Sequence, residues 1–368
     1  MPLVDSPLAD SPLAAPVHTS ALLDSYGWDP GLAAHLQPGQ FPGRVVIQSR
    51  GSSTVVTERG ERPARLPGKL ARQIGTEALP AAGDWVALTE TAEDAAIIAA
   101  ILPRRTALVR KAAGNRTDAQ VVAANVDTVL IASAIVDDVN VRRLERYLAL
   151  VWESGATPVI VITKADEADP EARERVVADL EPSAMGVPIL VVSAFTGDGI
   201  DELRAWFEPR RTVAIIGSSG VGKSTLVNCL AGSEVMATGE IRVDGRGRHT
   251  TTHRELLLLP NGALVLDTPG MRELQLWNAD AGLAAAFADI DAIVASCRFA
   301  NCRHEGDPGC AVAAALTAAT LDPGRFESWR KLTAEQAFLA RRQDGRLAAE
   351  ERQKWKKRAK EGKNRARP

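Results

Sequence analysis

Lys223 stands near the end of "GSSGVGKST", residues 217 to 225. The spacing Gly217-x4-Gly222-Lys223-Ser224 is that of a phosphate-binding loop. Glycines let such a backbone curl until successive N–H groups face one anion. The run "TVAII" before it and "KSTLVNCLAG" after it predict a strand and a helix whose N-terminus favours negative charge. On this reading Gly217, Ser218, Ser219, Gly220, Val221, Gly222, Lys223, Ser224 and Thr225 cradle the phosphates. Lys223 would reach the β- and γ-phosphates and Ser224 a Mg²⁺ ion. Asp267-Thr268-Pro269-Gly270 follows another apolar run, "ALVLD". Asp267 suits Mg²⁺, and the Gly270 N–H suits a γ-phosphate because glycine permits close backbone approach. Between these motifs lies the polar stretch "GRGRHTTTHRE", residues 245 to 255, where Thr250 or Thr251 can complete the Mg²⁺ shell. The plainer reading of that stretch is a surface loop.

Two further clusters carry chemistry. Thr163-Lys164-Ala165-Asp166 closes the run "VIVI". A carboxylate at Asp166 accepts hydrogen bonds from a base that offers N1–H beside an exocyclic amine. Guanine offers that pair and adenine does not. Lys164 can lie along the base, and Ser193 and Ala194 of "VSA", at a second strand end, can meet the guanine oxygen through their backbone. Cys297-x4-Cys302-x-His304-x5-Cys310 supplies three thiols and an imidazole, a full tetrahedral zinc shell with no open position, hence a structural site. "EGDPG" between His304 and Cys310 provides the turn that brings the last ligand back. The remaining cysteine, Cys229, sits on the helix after the phosphate loop and reads as a small core residue.

These residues need a scaffold. A chain of 368 residues suggests two or three domains, and 45% hydrophobic residues suffice for their cores. Between about 125 and 270, "DTVLIASAIV", "TPVIVITKAD", "VPILVVSA", "RTVAIIGSSG" and "GALVLDTPG" recur, with "VRRLERYLALVWES" and "PEARERVVADLE" among them. That is a parallel sheet with covering helices, and each motif follows a strand, where open α/β sheets bind ligands. From about 40 to 105, "GRVVIQS", "SSTVVTERG", "ARLPGKL", "AAGDWVALTE" and "AAIIAAILP" read as short strands of a small barrel. An OB-like barrel, a common RNA binder, fits the size. Arg104, Arg105, Arg110, Lys111 and Arg116 follow it as either a solvated linker or a nucleic-acid-facing run. Beyond residue 280, "AGLAAAFADIDAIVAS", "CAVAAALTAATL" and "SWRKLTAEQAFLARRQ" read as helices around the cysteine knot.

The net charge of −2 hides an asymmetry, because the last fifteen residues hold eight cations against Glu361. With Trp355 among them they suit RNA phosphates. The repeated "DSPLA" near the N-terminus reads as a disordered tail. It has no signal-peptide pattern, and no stretch is long and apolar enough to predict a membrane span. A cytoplasmic protein is expected.

Phosphate loop, Thr-rich loop, "DTPG", "TKAD" and "SA" together resemble the five signature elements of GTPases, here with the base-reading pair first. That rotation is similar to the circularly permuted GTPases. With a barrel in front, a Cys/His knot behind, and "AANVDTVLIASAIV" and "RHTTT" within, the chain resembles the ribosome small subunit-dependent GTPase A family over residues 40 to 340. The expected fold is a circularly permuted α/β phosphate-loop GTPase domain with an N-terminal OB-like β-barrel and a C-terminal helical zinc-binding domain. Expected limits are 1–24 for the tail, 25–105 for an RNA-binding barrel, 106–280 for the GTPase domain, 281–345 for the zinc domain and 346–368 for the basic tail.

The resemblance implies a GTP hydrolase that binds the small ribosomal subunit, both rRNA and proteins, and assists its late maturation, hydrolysis driving release. GTP and GDP, Mg²⁺ with the nucleotide and one structural Zn²⁺ are its implied ligands, and a monomer is expected. Met271 stands where many GTPases carry a water-orienting glutamine, so slow intrinsic turnover is expected. Lys223 and Gly270 would serve the transferred phosphoryl group. His249 is the candidate catalytic group, to which the resemblance through "RHTTT" also points; an exposed loop histidine is the alternative. Competing readings are a nucleotide-gated rRNA-binding or chaperone module whose hydrolysis is incidental, and an ATPase, against which Asp166 argues.

Overall fold

The computed structural model describes residues 20–49, 52–74, 78–91, 95–111, 119–236, 254–267 and 279–343. The first helix, α1 (Ala21–Ser25), begins inside the stretch that composition assigns to the tail. Leu23 explains this. It is fully buried in a cluster with Tyr26 and Trp28, and Trp28 meets Trp85 edge-on at 4.9 Å.

Strands β1 (Phe41–Ser49), β2 (Ser52–Thr57) and β3 (Gly60–Arg65) are followed by α2 (Gly68–Ile74), β4 (Trp85–Thr89) and β5 (Ala96–Ile101). They pair in the order β1-β2-β3-β5-β4, and β4 closes on β1. Closure leaves no free edge. Val45, Val55, Ala64, Val86, Leu88 and Ile98 fill the interior. A five-stranded closed barrel with a helix between its third and fourth strands is OB-like. "ARLPGKL" does not form a strand of its own: Ala64 and Arg65 end β3 and Gly68 starts α2. Pro67 lies between them, without an N–H to extend the ladder. A hairpin that periodicity did not reveal follows, β6 (Ala107–Lys111) with β7 (Ala119–Ala124). Each arm is too short to show its period.

The second half of the sheet comprises β8 (Thr128–Ala134), β9 (Thr157–Thr163), β10 (Ile189–Val191), β11 (Thr212–Gly217), β12 (Arg254–Leu258) and β13 (Leu264–Asp267). Helices α3 (Val141–Ser154), α4 (Pro170–Ala184), α5 (Ile200–Arg204) and α6 (Lys223–Ala231) connect them. The order is β10-β9-β8-β11-β13-β12, parallel throughout except for β12. That strand is antiparallel to both β13 and β1, so barrel and parallel sheet join in one eleven-stranded sheet. Alternate residues face opposite cores: Val129 and Ile131 of β8 pack with Leu148 and Val151 of α3, whereas Leu130 and Ala132 pack with Leu226 and Leu230 of α6. Helices on both faces account for the continuous apolar runs of these strands. Asn140 caps α3 by accepting the Arg143 N–H, and Gly155 ends it in the left-handed conformation.

At the C-terminal end lie α7 (Asp280–Ala286), α8 (Ala288–Ala295), α9 (Ala311–Thr317) and α10 (Pro323–Gln343). "AGLAAAFADIDAIVAS" is thus two helices, broken at Phe287, which leaves helical geometry at φ −127° and buries its ring completely. The assembly docks on α3. Buried Arg325 of α10 donates to Glu145 at 2.9 Å and to Asp289 at 2.8 Å. Gly282 of α7 lies so close to α3 that a Cβ there would sit 1.9 Å from the Ala149 carbonyl oxygen.

Arg44 holds the barrel to the parallel sheet. Its guanidinium is buried and donates to Thr212 Oγ1 of β11 at 2.8 Å, to the Gly83 carbonyl at 3.3 Å, and to the carbonyls of Asn125 and Tyr26. All four acceptors are neutral, and burial lowers its pKa to about 10.

Candidate functional site

From β8 the chain steps through β9 to β10 on one side and then returns to place β11 on the other. The crevice between β8 and β11 is therefore the switch point of the sheet, where such folds bind ligands. The phosphate loop leaves β11 there. Gly217 approaches β8 so closely that a Cβ would meet the Ala132 carbonyl oxygen at 2.2 Å. Gly222 takes a left-handed backbone (φ 88°) immediately before α6, a conformation most side chains resist. Lys223 Nζ donates to the loop's own carbonyls, Gly217 O at 3.0 Å and Ser218 O at 2.6 Å. The ammonium thus lies across the loop that would hold an anion.

The "TKAD" segment leaves β9, one strand away across β8. Thr163 joins the two motifs: its hydroxyl donates to the Val221 carbonyl of the phosphate loop at 2.6 Å. A threonine therefore supplies the brace to the loop. Lys164 adopts a left-handed backbone (φ 58°) and its ammonium lies 3.6 Å from Glu167. Ala165 is buried, its N–H donating to the Val192 carbonyl at 3.1 Å, while Asp166 is exposed.

Ser193 has a role that spacing alone did not reveal. Its buried hydroxyl donates to Asp166 Oδ1 at 2.5 Å and accepts the N–H groups of Phe195 and Thr196 at 3.2 and 3.1 Å. One side chain fixes both the carboxylate and the loop of Ala194. The only signal in the sequence was a hydroxyl residue at a strand end. His249, Thr250, Thr251 and Gly270 lie outside the described residues, as do the side chain of Asp267 and the basic run beyond residue 343.

Of the cations after the barrel, Arg104 grips buried Asp84 with two 2.7 Å hydrogen bonds and Arg105 pairs with Asp127 at 3.3 Å. Those two close the barrel against its neighbour. Arg116 lies outside the described residues.

Cys297, Cys302, His304 and Cys310 converge in the C-terminal helical region, with one ligand atom from each and all four within 4.8 Å of one another. Cys297 Sγ and Cys310 Sγ each lie 3.6 Å from His304 Nδ1. Tetrahedral ligands about 2.3 Å from a zinc ion would stand roughly 3.8 Å apart, so both spacing and donor set fit such an ion. Desolvation and the adjoining thiols push the pKa of Cys302 up to about 12. A cation at the centre would favour the thiolate. Cys310 also caps α9, accepting the Ala313 N–H, and the His304 ring stands edge-on to Phe326 and Trp329 of α10.

A family model described as RsgA GTPase matches residues 101–277. The chain is 46% identical over 351 residues to the small ribosomal subunit biogenesis GTPase RsgA of Opitutus terrae, covering 91% of this chain and 95% of that protein. It is 47% identical over 321 residues to the small ribosomal subunit biogenesis GTPase RsgA 2 of Lactiplantibacillus plantarum, covering 86% and 90%. Among solved structures it resembles YjeQ from Thermotoga maritima, with a TM-score of 0.59 and 28% identity over 80% of this chain and 98% of that one. YloQ, described as a circularly permuted GTPase, matches with a TM-score of 0.56 and 23% identity over 80% of this chain and 94% of that one, a likeness of fold.

Proposed function

The chain belongs to the RsgA GTPase family, and from that premise we propose that it hydrolyses GTP on the small ribosomal subunit and assists late maturation of that subunit, hydrolysis driving its release. The observation that carries this reading is the hydrogen bond from Thr163 to Val221. It ties a base-selecting carboxylate and a phosphate-binding loop into one cleft at the switch point.

In this reading Asp166 selects guanine, with Ser193 and Ala194 beside the base oxygen and Lys164 along its face. Gly217 to Thr225 hold the phosphates, and Lys223 exchanges its loop carbonyls for phosphate oxygens. Ser224, Asp267 and Thr250 or Thr251 would hold Mg²⁺, which when bound neutralises charge on the transferred group. Gly270 would donate its N–H to the γ-phosphate. Met271 has no group to orient water, so His249 is the proposed catalytic residue. The three cysteines and His304 would hold one structural zinc. The acting form is proposed to be a cytoplasmic monomer that grips rRNA and ribosomal proteins through its barrel, helical region and basic tail.

GTP turnover of the full chain with and without purified small subunits tests the proposal. A rise of at least tenfold on adding subunits is expected, and His249→Ala should remove most of that rise. Turnover indifferent to subunits would leave an RNA-binding module with incidental hydrolysis. An unchanged His249→Ala rate would remove that histidine from the mechanism.

A further inference from the structure

The loop between β10 and α5 carries an aromatic ring into solvent. Phe195 is 89% exposed, and the next most exposed large apolar residue among the described residues, Phe338, is 51% exposed. A lone apolar side chain on a surface is ordinary; what sets this one apart is where it stands and how firmly. The Ser193 hydroxyl oxygen that accepts the Phe195 N–H at 3.2 Å is the same atom that lies 2.5 Å from Asp166 Oδ1. One atom thus links the backbone of Phe195 to the carboxylate. Phe195 is also the one aromatic residue in the two segments, 163–166 and 193–198, that are proposed to meet the base. The loop that bears it is tied at both ends. The Ser193 N–H donates to the Asp198 carbonyl at 2.9 Å and the Gly197 N–H to the Ser193 carbonyl at 2.9 Å, while Asp198 pairs with Arg173 at 3.6 Å. Ala194, one position earlier, packs against the apolar cluster of Val192, Ile200 and Leu203. The ring is therefore displayed by an ordered turn.

A purine has a polar edge and two flat apolar faces. Asp166 can satisfy the edge, but no hydrogen bond satisfies a face. An aromatic ring can, by stacking, which removes apolar area of both partners from water. We propose that Phe195 stacks on the base of the bound guanine nucleotide and covers one of its faces. This rests on the reading that Asp166 binds guanine, and it adds a division of labour. Asp166 chooses between purines through their edges, whereas Phe195 sets how tightly the nucleotide is held, because every base offers a π-face. A ring held out by an ordered turn gives up little freedom when the base arrives, so more of the stacking energy appears as affinity.

The test measures the affinity of the full chain for GDP, for a non-hydrolysable GTP analogue and for ADP, in wild type and in Phe195→Ala, Phe195→Leu and Phe195→Trp. Phe195→Ala is expected to weaken GDP and the GTP analogue by the same factor, about tenfold, because the base is common to both. Phe195→Trp should hold the wild-type affinity or exceed it. Phe195→Leu should fall between, since it keeps apolar area and loses the flat face. The preference for GDP over ADP should survive in Phe195→Ala, in contrast to Asp166→Ala. Melting temperatures of the free variants should stay level, as expected of a surface substitution. Unchanged nucleotide affinity in Phe195→Ala overturns the proposal, and so does a tryptophan variant as weak as the alanine one. A fall of several degrees in free Phe195→Ala overturns it by making the ring structural. Lost preference between GDP and ADP in Phe195→Ala overturns it by showing that the substitution disturbs Asp166. Normal nucleotide affinity with weaker binding to purified small subunits would make the ring a contact to the subunit, and overturns it as well. Wild-type protein without preference between GDP and ADP overturns the reading of Asp166 itself, and the role of Phe195 with it.

Discussion

Asp166, the proposed base-selecting residue, is held in place by a neighbour. Its Oδ1 is occupied by the Ser193 hydroxyl, which leaves the rest of an exposed carboxylate free to meet a base in a fixed orientation. Rigid placement matters because a mobile carboxylate would lose orientational entropy on every binding event. On the proposed reading, Asp166→Ala removes the acceptor for both N–H groups of guanine. Calorimetry is expected to show GTP affinity reduced by about tenfold to a hundredfold, with the preference over ATP abolished. Retained preference would place base selection elsewhere. The sequence displayed Asp166 plainly, through its place at a strand end. Ser193 was legible as a candidate neighbour of the base but not as the support of Asp166, because a hydrogen bond across two strand ends leaves no trace in spacing.

Among the elements, α9 and α10 are tied directly to the cysteine knot. Cys310 supplies the N-cap of α9, and His304 packs on the Phe326 and Trp329 rings of α10. A helix as short as α9 has little stability of its own, and small metal-bound regions fold with their ion. Stripping the proposed zinc from this cluster with a strong chelator is therefore expected to lower helical circular dichroism and to speed hydrogen exchange across residues 288–320. Exchange in β8, β9 and β11 should remain slow. Uniform protection after chelation would show that α8, α9 and α10 stand on apolar packing alone. Ligand spacing made this knot visible in the sequence, since three thiols and an imidazole within fourteen positions match a zinc-ligand set and are near enough in the chain to meet at one point. The break at Phe287 was not visible, because a run of alanines and aliphatic residues favours helix on either side of a kink that packing imposes.

At the scale of the whole molecule, Arg44 decides whether barrel and parallel sheet behave as one body. Its guanidinium is buried among neutral acceptors drawn from four parts of the chain. Arg44→Met keeps the stem but leaves those acceptors without their donor, at a cost of about 3 kcal/mol or more. Calorimetry should then resolve two melting transitions in place of one, the barrel unfolding first. A single transition at the wild-type temperature would show that β12 pairing with β1 suffices. Nothing around Arg44 in the chain announces this role, since its acceptors Asn125 and Thr212 lie 81 and 168 positions away. The sequence by itself determined the candidate chemistry of this protein: a phosphate-loop pattern, the carboxylate proposed to select guanine and a Cys/His knot each depend on residue types a few positions apart, and strand periodicity is a local property of the backbone. Only the tertiary structure decided how these parts are joined. The antiparallel strand β12, the support of Asp166 by Ser193 and the burial of Arg44 all arise where distant segments exclude water from one another, and a linear pattern does not record that exclusion.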